Sequence, residues 1–306
     1  MTVSFTARPP WQTTPAELRH AVHCRAGEVV ATRDVTGGMS PGPAAVLTLG
    51  DGGRVFVKAI CKAVSAGSHG LYQQEADILR IIPATVPAAR LRGVVERRDW
   101  IALLLDAIAG QVAGPPWTTT TVIAAAGACA AMADVEAPTG VPAVVERLPD
   151  LDGWTALARE RTSLSDWESR HIERLAAATT GWRHWTSGPH LSHQDIRGDN
   201  IIIRAGDGRA VLVDWGYASH GASWLDRALL AADVVAAGHE GGPETARQQA
   251  LELLTDQPPE AARFVIAQAG MWRRNSTLPP HPGMPTHRRW QHQRAIALQP
   301  LIEDLL

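Results

Sequence analysis

Lysine, cysteine and long apolar runs are scarce in this sequence, and each shortage excludes a class of protein. Lysine occurs only twice and the net charge is -2, so the chain lacks the excess positive charge that binds nucleic acids or anionic membranes. Three cysteines without a C-x-x-C pair argue against a disulfide framework and favour a reducing cytoplasm. No apolar run is long enough to cross a bilayer, and the N-terminus "MTVSFTARPP" lacks the pattern of a signal peptide. We therefore expect a cytoplasmic protein, a monomer or weak dimer, with no nucleic-acid and no membrane partner.

The order of predicted elements divides the 306 residues into two parts. The first part holds a helix whose start carries a capping box of Thr14 and Glu17, then three strands, a helix "LYQQEADILRII" and two more strands. The segment "DAIAGQVAGPP" follows and is typical of a hinge. Beyond it helices dominate, with one hairpin of "NIIIR" and "AVLVD"; the helices are predicted near 118–134, 166–180, 222–237, 243–255, 259–275 and 286–299. The pattern predicts an α+β fold with a small β-rich lobe at 1–105 and a larger, mainly helical lobe at 106–306.

Polar side chains are concentrated at the ends of that hairpin. His193, Asp195 and Asn200 form the pattern H-x-D-x-x-x-x-N before the first strand, and Asp214 directly follows the second. A loop before one strand and a loop after its partner lie at the same end of a hairpin, so we expect Asp195, Asn200 and Asp214 to converge. Carboxylate and carboxamide oxygens are ligands that Mg²⁺ takes in proteins, usually together with substrate phosphates and water.

These residues resemble the catalytic and metal-binding loops of protein kinases, and "SHQDIRGDN" is more similar still to the aminoglycoside phosphotransferase and choline kinase family. The stretch "GASWLDRALLAADV" resembles the family segment in which an aspartate, here Asp226, opens a helix. The resemblance covers nearly the whole chain and implies a bilobal, protein-kinase-like fold. Two features depart from the kinase pattern: Trp215 replaces the Phe of D-F-G, and the glycine-rich turn lacks the full G-x-G-x-x-G.

The resemblance also implies a role for each site residue. Asp195 would be the catalytic base, and Asn200 and Asp214 would hold Mg²⁺. Arg197 takes the place of a kinase lysine and either contacts the γ-phosphate or is solvated. ATP would be bound by the N-terminal lobe and the hinge, through Lys58, Glu75, the turn residues Gly37, Gly38 and Ser40, and the hinge residues Asp106 and Ile108.

The phosphate-binding lysine has two candidates, since Lys62 lies close to Lys58. Lys58 is preferred because it follows "VFV", as the lysine of V-A-I-K does, and because the helix that carries Glu75 comes next, where it can form an ion pair. Another alternative is a zinc site of His281, His287 and His292. Their spacing fits no usual ligand pattern, so we interpret them as surface residues.

The sequence therefore predicts an ATP-dependent phosphotransferase that acts on a hydroxyl of a small molecule. Two alternatives stay open: a kinase for Ser or Thr of a peptide, and a non-catalytic nucleotide-binding relative. The stretch "WRRNSTLPPHPGMPTHRRWQHQR" is basic. We expect its arginines, among them Arg273, Arg274, Arg288 and Arg289, to form a solvated face. If they line the acceptor groove instead, the acceptor should be neutral or anionic, because a polycation would be repelled.

Overall fold

The computed structural model describes residues 8–148, 151–161, 164–280 and 284–306, so His281 lies outside the described residues. Within these ranges, no helix combines the length and the apolar character that a bilayer crossing requires. The predicted cytoplasmic location stays a prediction.

A five-stranded antiparallel sheet forms the N-terminal part, with the strand order β1-β2-β3-β5-β4. Alternating and continuous apolar runs both favour strands. An alternating run buries one face of a pleated sheet, and a continuous run buries both faces. The bounds of the five strands are β1 Val29–Asp34, β2 Ala44–Leu49, β3 Arg54–Cys61, β4 Leu91–Arg97 and β5 Trp100–Asp106. Lys58 lies in the central strand β3, opposite Ala44 of β2 and Leu103 of β5. The predicted lobe boundary at 105–106 falls where β5 ends, and as a domain boundary it stays a prediction.

Two helices accompany this sheet, α1 (Ala16–Ala26) and α2 (Ala66–Ile81). The predicted capping box of α1 is wrong: Pro15 is the N-cap, and the Thr14 hydroxyl donates to Trp11 O (2.8 Å) in the turn before the helix. Helix α2 begins five residues before the predicted segment. Its N-cap is Ser65, whose side chain accepts a hydrogen bond from Ser68 N (3.2 Å). A capped start can override the weak helix propensity of the glycines in "AGSHG".

Helices dominate the rest of the described chain, as predicted. The long ones agree with the periodic segments of the sequence: α3 Thr119–Ala133, α6 Asp166–Thr179, α8 Leu225–Ala237, α9 Gly242–Thr255, α10 Pro259–Asn275 and α11 His287–Ala297. Sequence periodicity missed the short ones, namely α4 Val144–Arg147, α5 Gly153–Glu160, α7 Trp182–Trp185 and α12 Gln299–Leu305. Short helices give too few turns for a periodic signal, and tertiary packing stabilises them instead.

Two small sheets stand among these helices. The predicted hairpin is β8 (Ile201–Arg204) and β9 (Ala210–Leu212), and a third strand, β6 (Gly110–Val112), pairs with β8. Strand β6 lies inside the segment expected to be a hinge, so part of that hinge is held in a sheet. The other sheet pairs β7 (His190–Ser192) with β10 (Ser219–Gly221). The two sheets frame the loops at 193–200 and 213–218, where the sequence concentrates its polar residues.

Candidate active site

The hairpin brings Asn200 and Asp214 together, because they flank its paired strands. Ile201 is opposite Leu212 in the ladder, and Val213 N donates to Asn200 O at 2.9 Å. The chain leaves this ladder sharply: Asp214 has a φ of 69°, in the left-handed region that L-residues rarely adopt. That turn directs Asp214 toward the N-terminal sheet.

The loop that carries Asp195 is fixed from beneath by Asp226, at the start of α8. The Asp226 carboxylate is buried and accepts hydrogen bonds from the Ser192 hydroxyl (2.7 Å) and from the backbone N–H groups of His193 (2.8 Å) and Gln194 (3.1 Å). Gln194 has a φ of 63°, a further left-handed residue. Three donors around one carboxylate stabilise this strained loop. Asp226, which the family resemblance singled out, thus supports the loop that carries Asp195.

His193 is a structural residue of the same loop. Its ring is buried, donates from Nε2 to Val213 O (3.0 Å) and accepts at Nδ1 from Asp195 N (3.3 Å). The ring edge meets Trp215 at a centroid distance of 4.7 Å. His193 therefore joins the loop before the hairpin to the loop after it.

Asp195 is held by Asn200 on one side and faces Arg197 on the other. Asn200 donates from Nδ2 to Asp195 Oδ2 (2.7 Å) and to Asp195 O (3.0 Å). Burial raises the pKa of the Asp195 carboxyl, and the charge of Arg197 opposes that rise. A carboxylate made more basic than usual is suited to accept a proton from an alcohol.

The sequence left two roles open for Arg197, a contact to the γ-phosphate or a solvated position. Its side chain is only 12% exposed, which excludes the solvated position. Its guanidinium makes two parallel hydrogen bonds with Asp199, at 2.9 Å and 2.7 Å, and Nη1 lies 3.5 Å from Asp195 Oδ1. The ring of Trp290, from α11, lies 5.7 Å from the guanidinium carbon. A bidentate bond fixes the plane of an arginine, so Asp199 orients Arg197 toward Asp195. Sequence reasoning missed Asp199, although it lies within the H-x-D-x-x-x-x-N motif.

A second buried aspartate, Asp233 of α8, supports the same loop. It accepts from Gly198 N (2.9 Å), from Trp117 Nε1 (3.0 Å) and from the guanidinium of Arg294. Arg294 itself lies between the rings of Trp272 and Trp290, at 4.6 Å and 4.8 Å. Helix α11 therefore contributes to the positioning of the catalytic loop, although it lies far along the chain. Asp233 follows Asp226 by seven residues and thus lies on the same helix face, which is the only sequence signal for it.

Lys58 links the two lobes at the candidate site. Its Nζ lies 2.5 Å from Glu75 Oε2 and 2.9 Å from Asp214 Oδ1, and both Lys58 and Glu75 are buried. Burial alone would lower the pKa of Lys58, but the charges of Asp214 and Glu75 outweigh it and raise the pKa. Partial desolvation would likewise raise the pKa of Asp214, yet Lys58 lowers it to about 2. Burial also raises the pKa of Glu75 to about 7, against the opposing charge of Lys58. Lys58 and Asp214 are therefore the fully charged members of the group. Lys62 is exposed, and its position gives it no place in the group.

The glycine-rich turn lies beside this ion pair. Gly37 and Gly38 have φ values of 94° and 82°, which only glycine adopts without strain. Gly42 lies so close to β3 that a Cβ added there would be 1.9 Å from Ala59 O. Arg8, which sequence reasoning missed, donates to Gly37 O and to Gly42 O (3.0 Å) from outside the turn. The turn is thus held against the residue that follows Lys58.

The hinge residues differ in what they can offer a ligand. The backbone N–H of Asp106 donates to Arg90 O (2.9 Å), and its carboxylate is paired with Arg92 (2.5 Å). A contact between Asp106 and a base would therefore need the Asp106 carbonyl oxygen. Ile108 lies between β5 and β6 and is half-buried.

Helix α2 packs directly against the turn that follows Asp214. A Cβ added to Gly216 would lie 3.2 Å from Leu71 O, and Trp215 is fully buried. Trp215 donates from Nε1 to Leu212 O (3.1 Å), so the tryptophan that replaces the kinase phenylalanine has a partner for its N–H group.

The donor set fits a Mg²⁺ ion that also binds phosphates. Asn200 donates from its amide nitrogen, which leaves its carbonyl oxygen as an acceptor, and the Asp214 side chain is 53% exposed. Within the described ranges, no group of three or more His, Cys, Asp or Glu residues could hold a metal by itself. One carboxylate and one carboxamide suit an ion that completes its octahedron with phosphate oxygens and water. Of the histidines considered for zinc, His287 stacks on Trp290 at 5.8 Å and His292 is exposed.

The comparisons with known proteins agree with this geometry. A sequence profile of the phosphotransferase enzyme family (APH) matches residues 42–291. The chain belongs to the phosphotransferase enzyme family. Family membership confirms the predicted family and class of activity, transfer of a phosphoryl group. A search of curated proteins found no match.

Solved structures show the same fold at low sequence identity. A thermostable mutant of aminoglycoside phosphotransferase APH(4)-Ia, in complex with AMP-PNP and hygromycin B, superposes with a TM-score of 0.59 at 14% identity over 94% of this chain and 99% of that one. Choline kinase LicA from Streptococcus pneumoniae superposes with a TM-score of 0.58 at 15% identity, over 93% of this chain and 98% of that one. The amicoumacin kinase hAmiN, in complex with AMP-PNP, Ca²⁺ and Ami, superposes with a TM-score of 0.55 at 10% identity, over 90% of this chain and 93% of that one. The predicted bilobal, kinase-like α+β fold is therefore confirmed.

Proposed function

We propose that this phosphotransferase moves the γ-phosphoryl group of ATP to a hydroxyl group of a small molecule. The observation that carries the proposal is the convergence of Lys58, Glu75 and Asp214 in one ion-pair group beside the hydrogen-bonded pair of Asp195 and Asn200. Phosphoryl transfer needs positioning and charge neutralisation more than covalent chemistry, and this group supplies both. The ATP analogues bound by similar solved structures support ATP as the donor.

The N-terminal lobe, residues 1–105, would bind the nucleotide. Lys58, aligned by Glu75, would hold the α- and β-phosphates as an ammonium, and the turn of Gly37, Gly38 and Ser40 would present backbone N–H groups to the phosphate chain. Backbone groups of Asp106, through its carbonyl, and Ile108 would contact the adenine.

The larger lobe, residues 106–306, would supply the chemistry and bind the acceptor. Asp195 would accept the proton of the acceptor hydroxyl, and Arg197 would lie where it can stabilise negative charge on the transferred group. Asp214 and the carbonyl oxygen of Asn200 would hold Mg²⁺, which neutralises phosphate charge. Lys58 contacts Asp214 and Arg197 faces Asp195, so both cations already neighbour the carboxylates they would assist.

Two arginines of the basic C-terminal stretch form ion pairs within the protein. Arg273 is buried and paired with Glu168 (2.5 Å), and Arg274 is paired with Glu160 (2.8 Å). The expected solvated face is therefore wrong for Arg273, and its charge is neutralised within the core. Arg289 is exposed and Arg288 is half-buried. The basic stretch thus gives much less positive charge to a groove than its sequence indicates.

The acceptor class is tested by a panel of compounds with ADP release as the readout. Aminoglycosides, sugars, choline-like alcohols, hydroxy acids and Ser-containing peptides would each be offered with ATP and Mg²⁺. Turnover of a small alcohol near the 1–100 s⁻¹ usual for kinases would support the proposal. Turnover of the peptides alone would favour the peptide-kinase alternative. Nucleotide binding with no ADP release across the panel would favour a non-catalytic relative.

A further inference from the structure

Tyr72 lies between the two parts of the candidate nucleotide site. It is one of two tyrosines in the chain and is only 3% exposed. Its ring centroid lies 4.7 Å from the Nζ of Lys58, and its hydroxyl donates to Ser40 Oγ at 3.0 Å. One side chain thus contacts both the lysine and the glycine-rich turn.

On the lysine side, Tyr72 completes an enclosure of the ammonium group. Tyr72 and Glu75 are three residues apart on α2 and so face the same side of the helix. Lys58 contacts Glu75 and Asp214 through its ammonium, and the face of the Tyr72 ring lies on a further side. An ammonium is attracted to the face of an aromatic ring, most strongly where water is excluded. Because Lys58 is buried, the ring limits the directions in which Nζ can point.

Tyr72 also holds the glycine-rich turn, through its hydroxyl group. The base of the turn is fixed to β3, since Ala59 N donates to Pro43 O at 3.0 Å. Arg8 holds the carbonyl groups of Gly37 and Gly42 from outside. The Tyr72 hydroxyl holds Ser40 from within the lobe, and the Ser40 hydroxyl also accepts from Gly42 N at 3.4 Å. The tyrosine therefore fixes the segment that would cover the phosphates.

We propose that Tyr72 is a positioning residue for the nucleotide, which sets the spacing between the phosphate-binding lysine and the turn that covers the phosphates. Its ring acts on Lys58 and its hydroxyl acts through Ser40. The proposal rests on the proposed function, since it assumes that Lys58 and the turn bind ATP. It predicts that the contribution of Tyr72 depends on the phosphate groups of the ligand and not on the base.

Isothermal titration calorimetry of the full chain tests this without knowledge of the acceptor. The dissociation constants of ATP with Mg²⁺, of ADP with Mg²⁺ and of adenosine would be measured for wild type, Tyr72→Phe, Ser40→Ala and the double variant. Tyr72→Phe is expected to weaken ATP binding about three- to tenfold, the range that corresponds to one lost hydrogen bond. Ser40→Ala should weaken it at least as much, because it also removes the acceptor of the bond from Gly42 N. Because the hydroxyls of Tyr72 and Ser40 share one hydrogen bond, the double variant should bind ATP no more weakly than the single variant with the lower affinity.

Tyr72→Leu removes the ring as well and should weaken ATP binding further than Tyr72→Phe. The matched control is Thr14→Val, which deletes a buried hydroxyl bond to Trp11 O in the same lobe and should leave ATP binding unchanged. Melting temperatures would be recorded for every variant, because a purely structural bond would lower stability without changing the ratio of ATP to adenosine affinity.

Several outcomes would overturn the inference. ATP affinity equal to wild type in Tyr72→Phe, an additive double variant, or an equal loss for adenosine would each show that Tyr72 does not position the phosphate-binding groups. If adenosine binding is too weak to titrate, the additivity of the double variant decides alone. A wild-type protein that binds no ATP would instead refute the proposed function, so the two failures are distinguishable.

Discussion

Lys58 and Asp214 are 156 positions apart in the chain, yet Lys58 Nζ lies 2.9 Å from Asp214 Oδ1. The contact joins the central strand of the N-terminal sheet to the residue that follows the hairpin of the helical lobe. It places the group expected to bind phosphates next to the group expected to bind the metal, which is the arrangement that the predictions below test.

The first prediction concerns the metal. ATP should raise the melting temperature of the wild type by several degrees only when Mg²⁺ is present. The reason is that ligand at about 100 times its dissociation constant stabilises a protein by roughly 2.7 kcal/mol. Asp214→Ala should abolish the Mg²⁺-dependent part of the shift, as measured by thermal denaturation.

Asp207→Ala is the matched control for the metal prediction. Asp207 lies in the turn of the same hairpin, paired with Arg204, and outside the site. Equal shifts with and without Mg²⁺ in the wild type, or an unchanged shift in Asp214→Ala, would contradict the metal assignment.

The second prediction concerns the base. Asp195→Asn should lower turnover about 10²- to 10⁴-fold, the usual contribution of a positioned general base. ATP affinity should stay near normal, because an asparagine can still accept the hydrogen bond from Asn200 Nδ2. Initial rates with the best acceptor of the panel, together with titration of ATP, would measure both. A variant with the turnover of wild type would remove Asp195 from the mechanism; Asp207→Asn serves as the control.

The third prediction concerns the ion pair of Lys58 and Glu75. Lys58→Met should lower the free energy of unfolding by about 3 kcal/mol, because it leaves the buried Glu75 carboxyl group without its partner. The double variant Lys58→Met/Glu75→Leu should recover part of the loss. Urea denaturation measures both, and Lys62→Met is the matched control because Lys62 is the exposed second lysine. A loss of the same size in Lys62→Met would show that the effect is not specific to the pair.

The fourth prediction concerns the support of the catalytic loop. Asp226→Asn should lower the free energy of unfolding by about 2–4 kcal/mol, because the amide cannot accept charge-assisted bonds from Ser192, His193 and Gln194 together. Turnover should fall as well, since these donors belong to the loop before Asp195. Denaturation curves of Asp226→Asn and of the exposed Asp256→Asn would be compared. Identical curves would show that Asp226 does not hold the loop.

The fifth prediction concerns the thiols. Cys24 is exposed and Cys129 is buried, and burial raises the pKa of the Cys129 thiol well above its usual range. At pH 8 the thiolate fraction of Cys129 is therefore negligible, and a disulfide reagent should modify Cys24 first. Absorbance would follow the reaction in the native and the denatured protein. Cys61 is half-buried, so the double variant Cys24→Ser/Cys61→Ser isolates Cys129 and should show no fast phase. A fast phase in that double variant would contradict the burial of Cys129.

The sequence was sufficient to predict the convergence of Asn200 and Asp214, because hairpin topology brings its two ends together whatever surrounds it. The strands of the N-terminal sheet were predictable for a similar local reason, the period and apolar character of their residues. The start of α2 was not, because the Ser65 cap competes with a glycine-rich segment. Local patterns are sufficient where the physical cause is itself local.

The long-range supports of the site could not be predicted in the same way. The sequence shows Arg273 and Arg294 as basic residues of a charged stretch, and only the fold brings Glu168 and Asp233 to them. Buried charges require partners, and these partners come from helices far away in the chain. Asp199 lies within the sequence motif, but its bidentate bond to Arg197 depends on a local loop geometry that residue spacing does not specify.

The bond between Arg294 and Asp233 also has a consequence for the order in which the site can be completed during synthesis. Asp233 accepts hydrogen bonds from Gly198 N in the catalytic loop and from Trp117 Nε1 in the segment before α3. Its countercharge is Arg294 of α11. Chains grow from the N-terminus, so Asp195, Asn200 and Asp214 leave the ribosome well before Arg294 does. Until α11 is added, the nascent protein has every residue of the proposed chemistry but an uncompensated aspartate beneath the loop that carries it.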